Sequence, residues 1–97
     1  MTLTIDQIRG IILEALQETQ RLGGHEWVPP PEQQPVIGQL EGFDSLTGIE
    51  VTVMVEEKLS APLGRQLSLG DSLFVDPLCK TARTLAEVVS ATFEALQ

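Results

Sequence analysis

A single cysteine, Cys79, leaves this chain without the means for an intramolecular disulfide or a multi-cysteine metal site. Nothing in its cysteine usage points to an oxidising compartment. The adjacent Lys80 would lower a thiol pKa, so a reactive thiolate stands open beside the commoner outcome, a buried structural cysteine. The only histidine, His25, has no second histidine or thiolate nearby to complete a metal set and reads as an exposed loop residue. No glycine-rich phosphate loop is present, because the 8 glycines are scattered. No apolar run approaches the roughly 20 residues of a membrane helix, and no basic segment leads into an apolar one at the N-terminus. The expectation is a cytoplasmic protein without a membrane partner. Basic residues are scarce as well: 6 against 14 acids, for a net charge of −8, a balance that repels nucleic-acid phosphates.

What is present suits one small globular domain over residues 1–97. An apolar content of 42% is ordinary for a folded chain and argues against a disordered acidic tail. The negative charge is unevenly spread. Residues 40–57 hold Glu41, Asp44, Glu50, Glu56 and Glu57 with no base, whereas residues 58–97 are balanced. This block reads either as a solvated face that keeps the protein soluble or as a docking surface for basic partners.

The spacing predicts an amphipathic helix over 4–22, with Ile5, Ile8, Ile12, Ala15, Leu16 and Thr19 on one face. Thr4 and Gln7 have the pattern of a capping box, and Gly23-Gly24 supplies a stop. Residues 23–43, with Pro29-Pro30-Pro31, Pro35 and Gly38, form a long connection that must be functional or anchored by its own side chains. Trp27, Val28, Val36, Ile37 and Leu40 are the candidate anchors, with Trp27 a packing peg in preference to a ligand platform. Residues 45–59 fit two periods. Ile49, Val51, Val53 and Val55 alternate as in a strand, yet on a helical wheel Gly48, Val51, Thr52, Val55 and Leu59 share one face. A lone strand would have nothing to pair with, so the helix is preferred. Residues 60–80 form a second connection, with Leu67, Leu69, Leu73, Phe74 and Val75 available to the core. A last helix is predicted over 84–96, opened by a Thr84/Glu87 capping box. The fold class expected is all-α, a small three- to four-helix bundle with a long first loop.

The segment that stands out is Gly42-Phe43-Asp44-Ser45-Leu46, between the long loop and the second helix, continuing through Ile49 and Glu50 to Glu56-Glu57. It resembles the phosphopantetheine attachment motif of acyl carrier proteins, Asp-Ser-Leu at the start of a second helix. The match is close over the middle third of the chain, and the flanking helices agree as architecture. The tripeptide recurs at Asp71-Ser72-Leu73, but Pro77 follows too soon for a long helix, and too few residues remain to complete a bundle. Ser72 is therefore assigned to the loop.

A serine at a helix start is exposed among free N–H groups that favour an anion, and Asp44 before it is suited to cap the helix. No histidine or lysine stands beside Ser45 in sequence to act as base, and the acidic cluster looks too exposed to supply a catalytic carboxylate, so the chain is not expected to be an enzyme. The resemblance implies a 4'-phosphopantetheine arm, taken from coenzyme A and attached to Ser45 by a separate Mg²⁺-dependent phosphopantetheinyl transferase. Asp44 and Leu46 would belong to that attachment site, Asp44 helping to hold the metal of the transferase. The arm's thiol would carry acyl groups for fatty-acid, lipid or polyketide-type biosynthesis, and the bundle's apolar interior would accept them. Leu46, Glu50, Val53, Glu56 and Glu57 would present a docking surface to enzymes with basic patches. The carrier would act as a monomer. Departures from the family pattern are Thr47 in place of an acid, Gly48 in the first turn, Phe43 in place of a small residue, and two long connections. They point to a specialised stand-alone carrier. Two alternatives stay open: a peptidyl or aminoacyl carrier, mildly disfavoured by the aspartate before the serine, and an unmodified acidic helical adaptor for a basic protein.

Overall fold

Three segments of the chain have the periodicity and caps to form helices, and all three do so. The computed structural model describes residues 3–64, 66–70, 72–76 and 80–96. In order, α1 spans Ile5–Leu22, α2 Ser45–Leu63 and α3 Leu85–Ala95, and no strand occurs among the described residues. Thr4 and Thr84 are the N-caps of α1 and α3, each with a complete capping box made with Gln7 and Glu87. Every helix starts within one residue of the expected position.

The second helix settles the conflict between periods two and 3.6. Its buried residues are Gly48, Val51, Thr52, Val55 and Leu59, the set that a helical wheel places on one face. It also runs four residues beyond the expected end at Leu59, through Pro62. A proline so close to the C-terminus removes only one hydrogen bond of the final turns, and Gly64 then closes the helix in the left-handed conformation.

Helix α1 packs against both α2 and α3, burying Ile8, Ile12, Ala15, Leu16 and Gln20. Ile5, expected on the same stripe, is 43% exposed, so the buried stripe is narrower than the apolar pattern. The space beside α2 and α3 is filled by the second connection, whose Leu67, Leu73 and Phe74 are buried. Its chain approaches α2 where Gly48 leaves room: a Cβ there would lie 3.3 Å from Ser72 Oγ and 3.4 Å from Phe74 Cδ2. One turn later Thr52 Oγ1 accepts a hydrogen bond from Leu73 N–H at 2.9 Å while donating to the Gly48 carbonyl at 2.8 Å. Phe74 meets Phe43 edge-on, with ring centroids 5.1 Å apart. One continuous core thus draws on all three helices and both connections.

The long first connection is anchored throughout. Val36 and Leu40 enter the core, and Trp27 packs half-buried against it, as a peg should. Val28 is the exception among the expected anchors, being 61% exposed. Polar ties do the rest. Gln20, buried on α1, donates to the Glu41 carbonyl at 3.0 Å. Arg9 Nε lies 2.7 Å from Glu32 Oε1, and Ala86 N–H donates to the Glu32 carbonyl at 3.1 Å, which joins the loop to α1 and α3. Lys58 bridges α2 to α1, with Nζ 3.0 Å from Glu14 Oε1 and 3.5 Å from Glu18 Oε2. The hydrogen bond that Lys58 donates to Glu14 holds the Lys58 pKa above its ordinary value, against desolvation. No described helix is long and apolar enough to cross a membrane.

Thr52 and Thr92 form a natural pair for testing this packing. Both are fully buried and both donate to the carbonyl one turn back, but only Thr52 also accepts an N–H from another segment. Thr52→Val strands the buried Leu73 N–H and is expected to cost about 1–3 kcal/mol. Thr92→Val removes only a back-bond within α3 and should change stability little. Urea denaturation of the two variants measures the difference, and equal losses would contradict the role given to Thr52.

Candidate functional site

The Gly42–Leu46 segment is built from its back outward. Gly42 has φ +71, and a Cβ there would lie 2.6 Å from His25 Nε2, so both conformation and space require glycine. His25 is thus not the exposed loop residue its sequence context suggested. It is half-buried against the turn that precedes Ser45, with Nδ1 3.6 Å from Glu41 Oε2 and its N–H donating to the Gln20 carbonyl. Phe43 turns inward and is buried. The chain then leaves the core, and Asp44 N-caps α2: its Oδ1 accepts from Thr47 N–H at 2.9 Å and from Thr47 Oγ1 at 3.0 Å. Those bonds stabilise the ionised form and hold the Asp44 pKa below its ordinary 3.8. Thr47 is accordingly part of the cap.

Ser45 is the first residue of α2 and is exposed. Among the described residues its hydroxyl has no hydrogen bond to a base. No described group of three His, Cys, Asp or Glu side chains is arranged to hold a metal ion.

At about 100° per residue, the residues of α2 sort onto four sides. The core side is the buried set already described. The opposite, solvent side carries Leu46, Glu50, Val53 and Glu57, with Leu46 65% and Val53 48% exposed. One flank faces α1 and includes Thr47, Met54 and Lys58, the first two sharing a cleft with Leu22, His25 and Gly42. The other flank carries Ser45, Ile49 and Glu56 and faces the second connection.

Glu56 was expected on the docking side and is not there. Its Oε2 accepts from Leu69 N–H at 2.5 Å, so the carboxylate holds the connection against α2. The remaining four expected docking residues do share one exposed side.

Beside Ser45 the second flank opens into a cleft of about 330 Å³, lined by Ile49, Leu69 and Val75 with Ser72, Asp76 and Lys80. Sequence reasoning missed this cleft. Its far wall comes from Leu69, Gly70, Ser72, Val75, Asp76 and Lys80, part of a connection that approaches α2 at Gly48. The recurrence of Gly-Asp-Ser-Leu at 70–73 marked the region without revealing its place. Asp71, Pro77 and Cys79 lie outside the described residues.

No family model, curated protein or solved structure matches this chain.

The depressed Asp44 pKa sets an acid dependence. Stability from the ionised cap is fully present above the unfolded-state value and is lost as pH falls through the lower folded-state value. Asn also caps helices but does not titrate. The stability of the native chain relative to Asp44→Asn is therefore expected to fall on passing from pH 6 to below about pH 4. Urea titrations at several pH values measure it, and a constant difference would remove the role of the charged cap.

Proposed function

We propose that this chain is a carrier protein of the acyl-carrier kind, modified on Ser45 with 4'-phosphopantetheine from coenzyme A. The observation that carries the reading is the placement of Ser45. It is exposed at the first position of α2, between an acidic-apolar side and an apolar cleft. An attached arm could thus turn one way into the cleft and the other way to a partner.

The residues present fit such a group. Asp44 fixes the helix start by taking the Thr47 N–H, and no further carboxylate stands in the first turn of α2. Ser45 Oγ would bond the phosphorus of coenzyme A that bears the pantetheine. The pyrophosphate bond breaks, the adenosine bisphosphate leaves, and the hydroxyl proton passes to a base on a separate phosphopantetheinyl transferase. Once bound, the group supplies a thiol that holds acyl cargo as a thioester; the chain itself catalyses no step on that cargo.

Leu46 and Val53, exposed between Glu50 and Glu57, serve as the contact for basic patches on the transferase and on the enzymes that load and use the cargo. Carboxylates around a small apolar contact speed and orient encounter more than they add affinity, which suits a carrier that must be released. A lipid, fatty-acid or polyketide-type pathway follows from the acyl assignment, and a cytoplasmic setting from the need to meet coenzyme A.

Incubation with coenzyme A, Mg²⁺ and a broad-specificity transferase is expected to raise the intact mass by one phosphopantetheine. The gain should vanish in Ser45→Ala and persist in Ser72→Ala. No gain, together with salt-sensitive binding of a basic partner that Ser45→Ala leaves intact, would instead mark the chain as an unmodified acidic adaptor.

The docking side yields a separate test on the same transferase. Charge reversal at Glu50 and Glu57, both exposed, is expected to lower kcat/KM for modification roughly tenfold at low salt and to flatten its salt dependence. Glu56→Gln should affect that rate less but reduce stability by about 1 kcal/mol through the Leu69 bond. If Glu56→Gln slows modification as much as the double reversal, the solvent side is not the docking face.

A further inference from the structure

The cleft beside Ser45 is lined by one cation, Lys80, and one carboxylate, Asp76. Arg9 pairs with Asp6 and Glu32, and Lys58 with Glu14 and Glu18. Arg83 donates to the Leu73 carbonyl at 3.3 Å. Lys80 lines the cleft, and its ammonium has no ion-pair or hydrogen-bond partner among the described residues. The backbone around it is tied by hydrogen bonds. Asp76 N–H donates to the Thr81 carbonyl, Lys80 N–H donates to the Asp76 carbonyl, both at 2.8 Å, and Val75 bridges Ala82. Lys80 itself takes φ +61, a conformation uncommon outside glycine. Lys80, in a conformation strained for a residue with a side chain, thus shares the cleft with Ser45 and Asp76.

The chain has net charge −8, with five acids and no base over 40–57, and Asp76 also lines the cleft; against these, Lys80 brings a positive charge to the cleft shared with Ser45. The apolar walls at Ile49, Leu69 and Val75 adjoin this charge. The complementary occupant is a group with an anion near its attachment to Ser45 and a less polar body beyond it.

We infer that Lys80 holds the phosphodiester of the group carried on Ser45 and so lays that group into the cleft against Ile49, Leu69 and Val75. The inference rests on the carrier reading and extends it, because it names a positioning residue that Asp-Ser-Leu does not include. A charge-assisted contact between ammonium and phosphate is short and strong enough to bias an otherwise free arm. The stored arm then lies on the flank of α2, not on its docking side, so Leu46 and Val53 stay open to a partner while cargo is held.

The experiment uses the full chain labelled with ¹³C and ¹⁵N, converted by transferase with coenzyme A and Mg²⁺, with intact mass recorded on every sample. The variants are Lys80→Gln, which keeps length and removes charge, and Lys80→Arg, which keeps charge. Spectra of the unmodified variants that overlay the native one establish that the turn is intact. Conversion is expected to shift the Ile49, Leu69 and Val75 methyl signals in the native chain and in Lys80→Arg. Those shifts should be lost in Lys80→Gln, and the ³¹P signal of the phosphodiester should respond to salt only where position 80 is cationic. Three forms separate the possible anions: the arm alone, the arm bearing acetyl, and the arm bearing a short acyl group with a free carboxylate. Lysine-dependent shifts already present with the arm alone support the inference. Shifts confined to the first turn of α2, shifts unchanged in Lys80→Gln, or dependence on Lys80 only with the carboxylate cargo would each overturn it. A mass gain without those shifts defeats this inference alone, whereas no mass gain defeats the carrier reading beneath it.

Discussion

The backbone of residues 72–74 lies against α2 at the place where the helix offers both room and a hydrogen-bond acceptor. Gly48 supplies the room, since any Cβ would press on Ser72 and Phe74. Thr52, one turn on, supplies the acceptor for Leu73 N–H. A glycine inside a helix costs about 1 kcal/mol relative to alanine. Full burial of a side chain such as Phe74 contributes about 1.5–3 kcal/mol, and Phe74 adds an edge-on contact with Phe43. The packing therefore outweighs the propensity, and what looked in sequence like a loosened first turn is a seat for the second connection. The consequences run outward from that seat. It fixes Phe74, whose carbonyl accepts from Arg83 N–H, and Ser72 and Lys80 share a cleft with Ser45.

The same seat explains why α2 was hard to read. A helix packed on one side should show a single apolar stripe, but this one has a second: Leu46 and Val53 are exposed while Val51 and Val55 are buried. Two apolar stripes on nearly opposite sides of a helix alias into alternation, which is the period of a strand. The ambiguity was thus a physical signal. It came from exposed apolar residues that the fold does not use, and these are the residues that an interaction surface would need.

Much of the architecture was legible because it is encoded locally. Thr4 with Gln7 and Thr84 with Glu87 define helix starts within four residues of chain, and Gly24 and Gly64 end helices by adopting the left-handed conformation. The exposed position of Ser45 follows from the same local logic, as the first residue after the Asp44 cap. What could not be read depends on contacts between distant segments. Glu56 carries the same charge as Glu57 and sits beside it in sequence, yet one holds Leu69 and the other meets solvent. The difference is a rotation of about 100°, which matters only once the second connection is known to occupy that flank. His25 became a support for Gly42, and Val28 an exposed residue rather than an anchor, through similar long-range placements. The cleft itself has no sequence signature, because its two walls are joined only by the fold.

The distribution of charge around α2 bears on how a carrier could hold cargo and still be released by partners. Docking through Glu50 and Glu57, on the carrier reading, would act across solvent, over distances at which salt with a Debye length of about 8 Å at physiological strength screens strongly. A Lys80 contact with an anion on Ser45 would act at hydrogen-bond range beside apolar walls, where screening is weaker. The two interactions also occupy different sides of the helix, so a partner that binds Leu46 and Val53 does not have to displace what lies against Ile49. Ile49, 42% exposed, stands between the two sides, next to Leu46 and Val53 on the wheel and also part of the cleft wall. A partner that reaches one residue further around α2 would touch Ile49 and disturb the cleft at its edge. On the carrier reading, access to the cargo is then governed by how far a partner's contact extends past Leu46 and Val53, and not by how strongly its basic patch attracts the acids.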